Sequence, residues 1–315
     1  MVDLPPARRV EVSDVTLSIH EAGSGPAVVL CHGFPELAYS WRHQIDALAA
    51  AGFRVIAPNQ RGYAGSDAPR EIQDYDLVHL TDDMAGLLDA LDIEKAVFAG
   101  HDWGGFVSWA MPLRYPDRCL GAIGVNTPYV GFPTTQVLRS VFPDPEKLYI
   151  LWFQEPGVAE AFLDANVRTV FEKLMRRGTA PSPGGLRGMT DANPFKRIRE
   201  IDPPGESFLR EEEISLYTRA FEQSGFRGPI NWYRNIDRNQ KLVPEMGTKK
   251  LELPCLQVTA AWDVALPPAM AAGMPLVCSD LEMVAIEDCG HWTQQEKPEE
   301  LSRAMIDWLT RRFAG

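Results

Sequence analysis

Apolar residues along the chain fall into short unbroken runs that alternate with stretches of helical spacing. Ala27-Val28-Val29-Leu30-Cys31 has the form of a strand buried on both faces, and Phe53-Arg54-Val55-Ile56-Ala57 and Lys95 to Ala99 repeat it. Between the first two, Tyr39 to Ala51 carries Trp41, Ile45 and Leu48 on one face and predicts a helix that Gly52 stops. Leu77, Leu80, Met84, Leu87, Leu88 and Leu91 recur at three- and four-residue steps and predict an amphipathic helix over 77–91. Ahead of these, Val10 to Glu21 interleaves Val12, Val15, Leu17 and Ile19 with polar residues and predicts edge strands. Strand–helix alternation of this kind predicts an α/β fold, with a mostly parallel central sheet flanked by helices.

The pattern changes after about Thr127. Residues 129–240 lack buried strand runs and read as helical, with Ile214, Tyr217 and Phe221 marking one helix face and a Pro/Gly-rich loop, Gly178 to Pro194, interrupting the segment. Strand-like runs return at Cys255 to Thr259 and Leu281 to Ile286. The chain closes on a helix from Pro298 to Arg312, with Glu299 and Glu300 in its first turn and Arg311 and Arg312 in its last, as the helix dipole favours. The expected division is therefore a core of residues 1–128 and 241–315 and an inserted helical cap of residues 129–240.

Composition narrows the partners. With 43 Asp+Glu against 31 Lys+Arg the net charge is −12, which argues against nucleic acid or an anionic membrane surface. The five cysteines, Cys31, Cys119, Cys255, Cys278 and Cys289, show no paired spacing, so neither a disulfide framework nor a zinc site is expected, and most read as small core residues. Neither a signal pattern nor an apolar run of about 18 residues is present. The expectation is a soluble cytoplasmic protein without metal or cofactor, either a monomer or a homodimer.

The segment that carries chemistry is Gly100-His101-Asp102-Trp103-Gly104-Gly105, which follows a buried strand and precedes a helix containing Phe106, Val107, Trp109 and Ala110. Small–x–nucleophile–x–small at such a junction is a nucleophile elbow, in which a strained turn projects one side chain from the C-terminal edge of the sheet. The plainer reading of the hexapeptide is a tight turn with a helix-capping aspartate. The rest of the chain favours the elbow, because its partners must follow in the order nucleophile, acid, histidine. Asp263 follows one late strand and His291 another. Of the six histidines, His20, His32, His43 and His79 precede the elbow and His101 lies within it, so only His291 satisfies the order. His32-Gly33-Phe34-Pro35-Glu36 follows the strand ending at Cys31, where the backbone N–H of Phe34 is expected to pair with that of Trp103 as an oxyanion hole. The alternative reading of that segment is a loop around a buried histidine. Phe34-Pro35 is an X-Pro bond, the kind that admits a cis form.

These motifs resemble the soluble epoxide hydrolases of the α/β-hydrolase superfamily. The likeness extends over His32 to Glu36, Gly100 to Gly105, Phe153-Gln154-Glu155-Pro156-Gly157, Gly228 to Asn235 and Gly290-His291-Trp292. It implies the α/β-hydrolase fold with an inserted cap, and Asp102, Asp263 and His291 as the catalytic triad. It further implies Tyr149 and Tyr233 as the cap tyrosines that bind the epoxide oxygen, with Phe34 and Trp103 beside them in the substrate site. Without that resemblance each of the eight tyrosines reads as amphipathic packing. The implied substrates are a small apolar epoxide and water.

The choice of aspartate has a chemical reason. An epoxide carbon is sp3, so attack on it alkylates the nucleophile. A serine would become an inert ether, whereas a carboxylate becomes an ester that water can open. A serine-type esterase is disfavoured for the same reason. A haloalkane dehalogenase shares the aspartate but binds halide with indole or amide donors, and Phe34 stands where an amide is wanted. A fluoroacetate-type dehalogenase would want cations for a carboxylate. A non-catalytic receptor on the same scaffold would not need all of these groups.

Overall fold

A strand buried on both faces sends alternate side chains to opposite sides, and that period splits the core of this molecule in two. The computed structural model describes residues 4–180 and 191–314. Its strands are β1 (Arg8–Glu11), β2 (Thr16–Ala22), β3 (Ala27–Cys31), β4 (Arg54–Asn59), β5 (Ala96–His101), β6 (Cys119–Val125), β7 (Leu251–Ala260) and β8 (Cys278–Ile286). They form one sheet in the order β1-β2-β4-β3-β5-β6-β7-β8. The two pairings of β2 are antiparallel and all the others parallel.

Helices α1 (Arg42–Ala50), α2 (Leu77–Ala90) and α3 (Trp103–Arg114) connect the early strands. Val28 and Leu30 of β3 and Val97 and Ala99 of β5 face Trp41, Ile45 and Leu48 at α1, together with Leu301, Met305 and Trp308 of the C-terminal helix. Val29, Cys31, Ala96 and Phe98 face the other way, against Leu80, Met84 and Leu87 of α2 and Val107 and Met111 of α3. One continuous apolar run thus feeds two cores, which is why strand and helix patterns are so regular here.

Two expectations need correction, and one strand is unforeseen. Thr16–Ala22 is not at the edge: β2 lies between β1 and β4, and of the two only β1 is outermost. The turn Ala38–Trp41 is a 3-10 turn, with the α-helix beginning at Arg42. Strand β6 has no counterpart in the sequence reading, because Gly121 and Gly124 interrupt its apolar run. A side chain at either would lie within 3 Å of Trp308 or Trp109, the tryptophans that pack over the sheet there.

Between β6 and β7 the chain is helical: α4 (Thr135–Val141), α5 (Tyr149–Trp152), α6 (Val158–Asp164), α7 (Val167–Leu174), α8 (Glu211–Ser224), α9 (Arg227–Arg234) and α10 (Ile236–Leu242). Among the described residues this segment has only two isolated bridges, Leu148 with Ala192 and Arg176 with Ser207. Ile214, Tyr217 and Phe221 of α8 are buried, and Tyr217 stacks on Phe171 of α7 with ring centroids 5.0 Å apart. Residues 181–190 of the Gly178–Pro194 loop lie outside the described residues. The chain finishes with α11 (Met274–Val277), α12 (Thr293–Glu296) and α13 (Pro298–Phe313). No helix among the described residues is long and apolar enough to cross a membrane.

Candidate active site

The site begins where β5 turns into α3. Asp102 occupies that turn at φ 50°, ψ −120°, a conformation that L residues rarely adopt. Close packing sustains it. A Cβ on Gly104 would lie 2.0 Å from the Cys31 carbonyl oxygen, and one on Gly100 would lie 2.0 Å from the Gly104 carbonyl oxygen. The glycines are therefore required by the approach of β3 and of α3 to the turn. Asp102 makes no side-chain capping bond to α3, which removes the helix-cap reading of the motif. Its carboxylate instead takes the N–H of Phe34 on Oδ1 at 2.8 Å. The cis Phe34-Pro35 bond lies in the same loop.

Asp263 and His291 arrive from the loops after β7 and β8. His291 Nδ1 is 2.9 Å from Asp263 Oδ2, and His291 Nε2 is 3.9 Å from Asp102 Oδ2. Asp263 is further held by the Asn126 side-chain amide at 2.7 Å and by the N–H groups of Ala265 and Leu266 at 2.8 and 3.0 Å. Burial works against its charge, but His291 and these donors outweigh burial and hold the carboxyl well below the usual carboxylate range. For His291, burial disfavours the imidazolium, while the Asp263 carboxylate, with smaller pulls from Asp102 and Glu36, raises the pKa to about 9. Asp102 is pushed upward by burial, against the opposing pull of His291, His101 and the N–H groups of Phe34 and Trp103.

Tyr149 at the start of α5 and Tyr233 in α9 come from the helical segment and meet edge to face, centroids 5.6 Å apart. Burial, reinforced by the charge of Asp102, pushes both phenols up and keeps them protonated. The Tyr233 ring also packs on Phe34 at 5.2 Å and on Trp103 at 5.1 Å. The structure thus gathers Phe34, Asp102, Trp103, Tyr149, Tyr233, Asp263 and His291 at one place. The motifs around the tyrosines brace them. Arg234 forms a buried ion pair with Glu160 and donates to the Phe153 carbonyl at 2.8 Å, while Gln154 donates to the Tyr233 carbonyl at 3.1 Å. A cavity of about 660 Å³ borders His291 and is lined by Trp262, Trp292, Leu174 and Ile201 among others.

A second layer escaped the sequence reading. Glu36, fully buried, accepts from His101 Nδ1 at 2.9 Å and from the amides of Gln294 and Gln295 at 2.8 and 2.9 Å. His101 Nε2 faces the His291 carbonyl oxygen at 2.7 Å, so both of its ring nitrogens meet acceptors. His32 is the buried histidine of the alternative reading: its Nε2 accepts the Gln60 N–H at 3.1 Å, and burial lowers its pKa to about 4, which leaves the ring neutral. The only advance signal of this layer is the placement of polar residues inside the motifs themselves. Among the described residues no group of three or more His, Cys, Asp or Glu side chains is arranged to hold a metal ion.

A family model for the α/β hydrolase fold matches residues 26–298. The chain is 43% identical over 301 residues to bifunctional epoxide hydrolase 2 of Sus scrofa, across 94% of this chain and 53% of that protein, so it spans about half the length of such mammalian relatives. With epoxide hydrolase A of Mycobacterium tuberculosis it shares 38% identity, across 97% of this chain and 98% of that one. Among solved structures, epoxide hydrolase A from Mycobacterium thermoresistibile superposes with a TM-score of 0.88 at 41% identity, covering 97% and 98% of the two chains. An epoxide hydrolase from Vigna radiata superposes with a TM-score of 0.85 at 30% identity, over 97% of this chain and 98% of that one. By sequence and by fold, the chain belongs to the epoxide hydrolases of the α/β-hydrolase superfamily.

Proposed function

We propose that the protein converts small apolar epoxides to vicinal diols through an ester on Asp102. The observation that carries this reading is the division of labour between the two oxygens of that carboxylate. Oδ1 is occupied by the Phe34 N–H, whereas Oδ2 points toward His291 with 3.9 Å between them. Oδ2 is the free nucleophile. It attacks one epoxide carbon, the C–O bond of the ring breaks, and the electron pair goes to the oxygen, which takes the proton of one of the two phenols, Tyr149 or Tyr233, and accepts a hydrogen bond from the other. Oδ1 becomes the ester carbonyl oxygen, already in place on its oxyanion donor, with the Trp103 N–H as the second.

In the second step His291, oriented by Asp263, takes a proton from water, and the water oxygen attacks the ester carbonyl carbon. Collapse of the tetrahedral intermediate breaks the bond to the alkyl oxygen. The alkyl oxygen takes the proton held by His291 and the diol leaves. The second water proton passes from the Asp102 carboxyl back to the tyrosinate, and Asp102 retains one oxygen from water. The helical segment 129–240 acts as the cap that brings the phenols, and residues 1–128 and 241–315 as the core that brings the triad. The aromatic wall of Phe34, Trp103, Phe153 and Phe195 supports an apolar substrate. Five cysteines without a paired spacing support the cytoplasm as its compartment.

Repeated turnover in 18O-labelled water tests the reading. Label should enter the Asp102 side chain, and a carboxylate that stays unlabelled while diol accumulates excludes the ester. Assayed with haloalkanes alongside epoxides, the enzyme should release diol and no halide. Halide release would move it to the dehalogenases.

A further inference from the structure

One buried carboxylate at the site has no task in the reaction just described. Glu296 ends α12 and is 3% exposed. Its Oε1 accepts the N–H of Trp292 at 2.9 Å, and its Oε2 accepts the N–H of Gly290 at 3.1 Å and of Gly178 at 2.7 Å. Gly290 and Trp292 flank His291. Gly178 belongs to the helical segment, just past α7. Its neighbour Arg177 donates to the Glu296 carbonyl oxygen at 2.8 Å. The two backbones meet so closely that a Cβ on Gly178 would lie 2.4 Å from the Gly290 Cα. The Glu296 side chain therefore joins the histidine loop to the cap, with both oxygens on the loop and Oε2 also on Gly178, beside the bond from the Trp292 indole to the Leu174 carbonyl at 2.9 Å.

We infer that Glu296 is a positioning residue for the hydrolytic step, fixing where His291 Nε2 stands by latching the 290–292 loop to the cap at Gly178. The inference rests on the epoxide reading above and adds to it. Asp263 holds Nδ1 of the imidazole and His101 the carbonyl oxygen of His291, Asn126 reaches the Gly290 carbonyl at 3.3 Å and Trp292 Nε1 donates to the Leu174 carbonyl at 2.9 Å, while Glu296 takes the N–H groups on both sides of the histidine. A displacement of about 1 Å in such a group costs about 100-fold in rate. Ring opening by Asp102 needs no base, so the cost falls on ester breakdown. A glutamine at 296 offers one acceptor oxygen where three N–H groups need two, and its NH2 would face donors.

Single-turnover kinetics with styrene oxide, read by quenched intact-mass spectrometry, separate the two steps. In Glu296→Gln, ester breakdown should slow by about 10-fold or more while formation stays within about threefold of wild type, and the pH midpoint of breakdown should move. Gly178→Ala, which leaves Glu296 intact and pushes the cap backbone off the loop, should reproduce the selective slowing. If both variants break the ester down at the wild-type rate, or slow both steps alike, the inference is overturned. Should Glu296→Gln fail to fold, Gly178→Ala decides by the same two rates. A wild-type enzyme that makes diol with no ester at all sinks the epoxide mechanism itself, a result distinguishable from failure of the latch.

Discussion

His291 Nε2 stands 3.9 Å from Asp102 Oδ2 while the other nitrogen of the same ring is in full hydrogen-bond contact with Asp263 at 2.9 Å. In the proposed mechanism this spacing suits activation of water by His291 rather than deprotonation of Asp102. His291→Gln should accordingly still open the ring but slow ester breakdown by about 10²–10⁴. Intact-mass spectrometry after adding epoxide should show an adduct equal to the substrate mass. Unmodified protein that goes on forming diol would refute the assignment.

The pH dependence has a sign for each step. His291 is raised to about 9 partly by the charge of Asp102, and esterification removes that charge. Its pKa in the intermediate should fall below that value, so ester breakdown should rise with pH through a midpoint lower than 9. Ring opening needs ionised Asp102, which burial pushes upward, so formation should fail toward acid. For stability, the raised His291 contributes fully below its ordinary value of 6.5 and loses that contribution as pH rises through about 9. Thermal melts of His291→Gln should lack this alkaline loss.

In the proposed mechanism Tyr149 and Tyr233 both donate to the opening oxygen, from two different helices, and should be partly redundant. Tyr149→Phe or Tyr233→Phe alone should slow ring opening by about 10²-fold at most, and the double variant should nearly abolish it. Rapid-quench measurement of ester formation separates this from any change in breakdown. Full activity in the double variant would contradict the assignment.

The ion pair of Arg234 and Glu160 is nearly dry, with side chains 4% and 10% exposed. Arg234→Met leaves a buried carboxylate unpaired and should cost about 3–5 kcal/mol in urea unfolding. Because Arg234 also braces the Phe153 carbonyl, the variant should slow ring opening more than ester breakdown.

Gly104→Ala places a methyl group against the Cys31 carbonyl in a turn that cannot widen. A loss of about 3 kcal/mol or more is expected by chemical denaturation. Gly273→Ala, where nothing lies within 4 Å, serves as the neutral control.

What the sequence alone determined was local: the two-faced strands, the helix periods, the glycine-framed elbow at Asp102, and the order in which Asp263 and His291 follow it. Each is written in spacings of a few residues, which periodicity and turn chemistry make legible. Strand β6 was not legible, because Gly121 and Gly124 leave room for Trp308, from the far C-terminal helix, and for Trp109 of the preceding helix, and how those rings pack is set by the layers. The convergence of Glu36 on His101, Gln294 and Gln295, and of Glu296 on Gly178, was decided by tertiary structure alone. Those partners lie up to 259 positions apart, and a hydrogen bond over such a span depends on how the layers pack rather than on any neighbouring residue.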